Sequence, residues 1–496
     1  MKNIQIYKNI EKITRELLKD TQSSSLDKRI QLTIKFKLES IQIELEQPEI
    51  KDQPDLKIIK NSINEIKEYF KLGLNDEFLI KIQKIEDNIK QIDNKIFAPK
   101  ILSTGVSTFP SMIEDNRLYV DKTKDIYEIA SQRDCFFISR PRRFGKSLLI
   151  STFKSLFEGR KDLFKNFWID KHGSWEWKKH PVVLLDFNAI SHDTSENFET
   201  ALQTVLDKIA RKNDIILENK LLKEKFEELL TSLNEKYDCK VVILVDEYDK
   251  PIIDHLGYGK ERLEIAKKNR EIMKTFFGTL KSNAVMEVLR FLFITGVSKF
   301  SRVSIFSDLN NLTDLTMVSL HPTLLGYTKE EVLNYFNDHI TKWSKEAGIS
   351  REEIIHKLLL YYDSYRFSKK EIHVFNPYSI IHALKFCDFG TYWFETGSPD
   401  FLIRLLKDQD IYLPQIENIK LGEMAFSTYD LENLYINALL FQTGYLTIKD
   451  YKRKQYTLGY PNMEVKTAFT EMLFQELGQQ KRENTSMIAE LPYFLI

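Results

Sequence analysis

The stretch that most constrains this chain is Cys135-Phe-Phe-Ile-Ser-Arg-Pro-Arg-Arg-Phe-Gly-Lys-Ser147, which runs on into Leu148-Leu-Ile-Ser-Thr-Phe-Lys154. An apolar run of strand length ends at Ser139, a basic loop containing a proline follows, and Gly145-Lys146-Ser147 opens a segment with helical spacing. That order is the layout of a phosphate-binding loop. Amides at a helix start carry partial positive charge, glycine lets the backbone approach, lysine adds a full charge and the hydroxyl reaches a magnesium ion. The candidate loop residues are Arg142, Arg143, Phe144, Gly145, Lys146, Ser147 and Leu148, with Ser147 also a metal ligand. Arg140 stands where the usual pattern has glycine.

At 496 residues and 43% hydrophobic content, the chain exceeds one ordinary core, and about two to four domains are expected. Lys+Arg and Asp+Glu are equal at 72 each, so no bulk positive field draws it to nucleic acid or anionic lipid. Cys135, Cys239 and Cys387 lie far apart without metal-ligand spacing, which points to reduced thiols in a cytoplasmic protein. Met1-Lys-Asn-Ile-Gln lacks the apolar core of a signal peptide, and no segment has the uncharged length of a bilayer span. No membrane partner is expected.

Residues 1–98 read as a helical bundle. Phe78, Ile82, Ile85, Ile89, Ile92 and Ile96 form one apolar seam, and shorter stripes begin at Ile10, Leu38 and Ile59. A dimer zipper is the alternative for so short a seam. Residues 99–325 alternate strand and helix, the pattern of a parallel sheet flanked by helices. Pro181–Phe187 reads as a buried strand, and Lys240-Val-Val-Ile-Leu-Val-Asp-Glu-Tyr-Asp249 as another that delivers acids at its carboxyl end, where open α/β sheets bind ligands. Asp246 is assigned to a metal and Glu247 to polarising a water; a solvated acid cluster is the competing reading. A third strand, Phe291–Gly296, places Thr295, Ser298, Lys299 and Arg302 nearby, where Thr295 or Ser298 suits a phosphate sensor. Tyr119 is a candidate base contact, whereas Asp121 or Thr123 also reads as a helix cap.

Several strings together resemble the bacterial AAA-ATPase-like family: Tyr119-Val-Asp-Lys-Thr123, Arg140-Pro-Arg-Arg-Phe-Gly-Lys-Ser147, Val245-Asp-Glu-Tyr-Asp249, Thr295-Gly-Val-Ser-Lys299, Ser307-Asp-Leu-Asn-Asn-Leu312, Gly326-Tyr-Thr-Lys-Glu-Glu331, Tyr365-Arg-Phe367 and Phe375-Asn-Pro-Tyr-Ser379. In that family the Arg-Pro-Arg-Arg-Phe-Gly-Lys string replaces the glycine-rich loop, so Arg140 is no defect. The resemblance implies an AAA-like P-loop NTPase fold with ATP and Mg2+. It also implies that Gly145, Lys146 and Ser147 grip phosphates and that Asp246 and Glu247 form the second motif.

Residues 326–425 read as a helical lid that opens with a capping box at Thr328, and 426–496 as a winged-helix-like domain. Pro377 is a candidate contact for the adenine, although helix initiation also explains it. Lys449, Lys452, Arg453 and Lys454 on the hairpin offer weak support for a nucleic-acid partner. Glu464-Val-Lys466 mimics a nuclease string, but the nuclease-like domain carried by many family members is not expected here. The sequence therefore suggests a Mg-dependent ATP-binding protein, a slow ATPase with Lys146, Asp246 and Glu247 as its machinery, working as a switch toward a protein partner. The alternatives are a non-hydrolysing scaffold and a DNA-binding adaptor.

Overall fold

The computed structural model describes residues 4–23, 28–46, 56–70, 76–96, 99–299, 305–306, 309, 311–394, 402, 404–405, 418–427 and 435–478. The chain divides into two compact units, Met1–Pro99 and Lys100–Ile496.

The first unit holds the helices Ile4–Ser23, Lys28–Glu46, Leu56–Phe70 and Asp76–Ile96. Each packs on the next, and the fourth returns to the first. The three-four spacing of Ile and Leu closes this ring: Ile10, Leu17, Leu38, Ile41, Ile59, Ile63, Ile66, Ile82, Ile85 and Ile89 are all buried in one core. Of the longest seam, the side chains of Phe78, Ile92 and Ile96 lie outside the described residues. Lys81 bridges the fourth helix to Asp20 of the first at 2.6 Å.

The second unit is built on five parallel strands: β1 (Cys135–Ser139), β2 (Val182–Asp186), β3 (Val241–Asp246), β4 (Leu289–Gly296) and β5 (Leu312–Asp314), in the spatial order β2-β3-β4-β1-β5. Runs that are apolar on both faces require cover on both sides. Phe137, Ile243, Val245, Leu292 and Ile294 face the helices Ser195–Lys212, Leu222–Tyr237 and Lys260–Gly278. Phe136, Ile138, Val242, Leu244, Phe291 and Phe293 face the helices Phe109–Glu114, Thr123–Ser131 and Lys146–Phe157. Ser139 pairs with Gly296 and Val245 with Ile294, so β1, β3 and β4 all finish at one level of the sheet. The sequence reading contained no counterpart of β5, which is three residues long and carries a single apolar side chain.

Beyond the sheet, the helices Lys329–Tyr335, Asn337–Ala347, Arg351–Tyr362 and Pro377–Phe386 share a core with Leu118 and Val120. The capping box is present: Thr328 Oγ1 accepts from the Glu331 amide at 3.2 Å, and Glu331 accepts from the Thr328 amide at 2.8 Å. The helix Ile436–Thr443 then leads into β7 (Thr447–Lys452) and β8 (Gln455–Gly459), and β6 (Ile419–Gly422) pairs antiparallel with β8. The strand β7 begins only at Thr447, because Gly444 at φ +94° ends the preceding helix and the amides of Tyr445 and Leu446 both return to the Leu440 carbonyl.

Candidate functional site

Gly145 at the end of the basic loop has φ +90°, and an added Cβ would meet only Leu325 Cδ2 at 3.9 Å. Backbone conformation rather than space therefore selects glycine. The turn delivers the chain into the helix Lys146–Phe157, whose first carbonyl partner is Gly145, accepting from Leu149 at 3.0 Å. The amides of Gly145, Lys146, Ser147 and Leu148 have no protein acceptor among the described residues, the ordinary consequence of a helix start. They form an outward-facing donor set suited to an anion.

Lys146 is 5% exposed, and its Nζ donates to the carbonyls of Arg140 and Pro141, both at 3.0 Å. Burial lowers its pKa, while Glu247, Asp246 and Asp249 hold it up. The lysine and the acids of β3 therefore lie within electrostatic reach at one end of the sheet. Ser147 is half-buried, and its hydroxyl has no protein partner among the described residues.

At the end of β3, Asp246 Oδ1 accepts from Thr295 Oγ1 at 2.5 Å and from the Glu247 amide at 3.1 Å. Its Oδ2 has no donor among the described residues. Thr295, fully buried on β4, thus orients Asp246. Glu247 adopts φ +51°, a conformation rare outside glycine, and burial raises its pKa against the pull of Lys146. Asp249 has a different task. Its buried carboxylate accepts from the amides of Val297 and Ser298 and from Ser298 Oγ, the last two at 2.6 Å, tying the turn after β4 to the end of β3. Ser298 is committed to that tie and Lys299 is paired with Asp314 at 2.7 Å; Arg302 lies outside the described residues.

The other loop candidates divide into exposed and structural. Arg142 and Arg143 are exposed, and Arg143 stands over the Tyr378 ring at 5.1 Å. Phe144 is buried edge-on against Tyr365 and Phe367 at 5.0 and 5.3 Å, and Leu148 is half-buried. Arg140 is a buried strut: its guanidinium donates to the carbonyls of Ser139 (2.9 Å) and Thr316 (2.7 Å) and lies 4.3 Å over Phe367. Tyr119 packs in the core against Phe109 and Phe167, and Asp121 Oδ1 accepts from the amide of Thr123, the first residue of the helix Thr123–Ser131. Pro377 is buried at the first turn of its helix behind the Asn376 cap, next to the Tyr378 that Arg143 covers.

The C-terminal part of the same unit closes over the loop. Trp393 Nε1 donates to the Arg142 carbonyl at 3.0 Å, Gly444 lies so near Pro141 that a Cβ would come within 2.7 Å of it, and Gln442 accepts from the Lys299 amide at 2.8 Å. Glu464, completely buried, fixes this arrangement by accepting from the Trp393 amide and from Ser379 Oγ, both at 2.7 Å. Sequence reading missed these contacts, since no spacing connects Arg142 to Trp393 across 251 positions.

A parallel sheet flanked by helices, with an anion-receptive helix start after one strand and a carboxylate at the end of a strand one place removed, defines a P-loop-like nucleotide-binding core. The profile of the family described as Predicted AAA-ATPase matches residues 103–306, the span that holds both motifs. The chain is also 34% identical over 380 residues, 75% of this chain and 70% of the relative, to an uncharacterized protein in the vnfD 5' region of Azotobacter chroococcum mcd 1. The chain belongs to the AAA-ATPase-like family.

Proposed function

We propose that this protein binds ATP with Mg2+ and hydrolyses it slowly, using nucleotide state to set the position of its C-terminal lid. The observation that carries this reading is the pairing of four acceptor-less amides, Gly145 to Leu148, with the lysine and acids at the same sheet edge. The donor set fits the ligand: the amides suit phosphate oxygens, and Ser147 Oγ with Asp246 Oδ2 suits a hard cation. The cation, when bound, would neutralise phosphate charge.

The remaining chemistry belongs to the chain. Lys146 must exchange the Arg140 and Pro141 carbonyls for a phosphate oxygen. Glu247, its basicity raised by burial, accepts a proton from a water as that water's oxygen bonds the terminal phosphorus and the bond to the bridging oxygen breaks, giving ADP and phosphate. Arg142 and Arg143, exposed on the loop, would stabilise phosphate charge there or in a neighbouring copy.

Titration with ATP, with and without Mg2+, alongside phosphate release, tests the reading. Lys146→Ala should abolish binding, whereas Glu247→Gln should bind normally and lose turnover. Unchanged hydrolysis in Glu247→Gln removes that residue from the mechanism, and unchanged binding in Lys146→Ala removes the site. A protein that binds ATP yet releases no phosphate is instead a nucleotide-gated scaffold. The hairpin lysines favour a DNA adaptor less, because Lys452 is already paired with Asp450 at 2.8 Å.

A further inference from the structure

The opposite edge of the sheet carries a second concentration of cations. Arg133 precedes β1, Lys178 and His180 precede β2, Lys240 precedes β3 and Arg290 is the second residue of β4. Parallel strands bring all their amino ends together, so these five residues, distant in sequence, line one cavity of about 550 Å³. That volume is within the range of small-molecule sites.

Its charge is unbalanced. Four basic side chains, Arg133, Lys178, Lys240 and Arg290, face two acidic ones, Glu176 and Asp238. Arg290 is held by the carbonyls of Ala130 and Gln132 at 3.0 and 3.3 Å. Arg133, Lys178 and Lys240 have no ion-pair partner among the described residues. Trp175 also lines the cavity, with the Arg290 guanidinium 6.0 Å from its ring. Burial lowers the pKa of both Arg290 and His180, and like charge adds to it, from Arg133 on Arg290 and from Arg290, Lys178 and Arg133 on His180.

We propose that this cavity is a second anion site, remote from the loop, which takes a small phosphorylated molecule. Its phosphate oxygens meet Lys178, Lys240 and Arg133. The three free cations satisfy the charge of a multiply ionised phosphate better than that of a monocarboxylate, and lysines serve phosphate as point charges.

The test uses the full-length chain carrying Lys146→Ala, which removes the contribution of the loop, and sodium triphosphate as the calorimetric probe. One saturable site is expected. Adding Lys178→Ala and Lys240→Ala, both exposed and without an ion-pair partner among the described residues, should weaken it at least tenfold, whereas Lys342→Ala with Lys345→Ala, on the helix Asn337–Ala347 that contributes nothing to the lining, should leave it unchanged. The proposal is overturned if triphosphate does not bind the Lys146→Ala protein, if the cavity pair binds as well as its parent, or if the two lysine pairs lose affinity equally. A probe that binds the otherwise native chain but not the Lys146→Ala chain reports the loop alone, which leaves the ATP reading standing and removes this one.

Discussion

At the scale of single residues, Arg140 and Glu247 illustrate how far a motif can be read. Arg140 is the departure from a glycine-rich loop, and its role follows from burial: at 1% exposure its guanidinium is spent on the carbonyls of Ser139 and Thr316. An arginine in a loop sequence looks available for phosphate, and only a tertiary contact with Phe367 from a later segment reveals that it is not. Glu247 carries a testable electrostatic cost. Burial raises its folded pKa, so protonation favours the native state, and the penalty for ionising it grows as pH rises above the unfolded value of about 4.3. Glu247→Gln removes that penalty. The variant should therefore melt at a higher temperature than the native protein at pH 7, with the gap closing toward pH 4; a gap that is constant or reversed across that range contradicts a raised pKa.

Among the elements, the C-terminal segments pack directly on the loop. The indole of Trp393 pins the Arg142 carbonyl in the arrangement that also leaves Lys146 on its own loop. Trp393→Phe retains most of the packing on Tyr445 and deletes the donor. It should cost about 1 kcal/mol of stability yet tighten ATP binding several-fold, because the loop no longer has to break that bond to rearrange. Equal or weaker binding in calorimetry argues that the contact does not oppose the bound state. Long elements were the readable ones. The strands of the sheet are uninterrupted apolar runs whose burial on both faces leaves one interpretation, and the helix after Gly145 announces itself by its start. Short ones were not: β5 and β6 hold three and four residues, too few to establish a period, and owe their existence to the neighbours they pair with.

For the whole molecule, the division at Pro99 implies two cooperative transitions. Calorimetry of the intact chain should resolve them, and Mg-ATP should raise the midpoint of the Lys100–Ile496 unit alone by mass action. A single transition that shifts as one would show that the units unfold together. Among the described residues no helix is long and apolar enough to cross a membrane. The order β2-β3-β4-β1-β5 was not available from sequence, since it depends on which strand inserts beside β1. The placement of the acid and the glycine-lysine-serine run at one edge was, because parallel strands always present their carboxyl ends together and each of the two marks such an end.

The carboxylate of Glu464 sits in a string that imitates a metal-dependent nuclease, yet each of its oxygens already accepts a hydrogen bond from another part of the chain. Recruiting it to a cation would release Ser379 and the Trp393 backbone together, and with them the grip on the loop. Drift toward phosphodiester cleavage at this position would therefore undo the packing of these segments, so the imitation is kept in place by architecture rather than by reactivity.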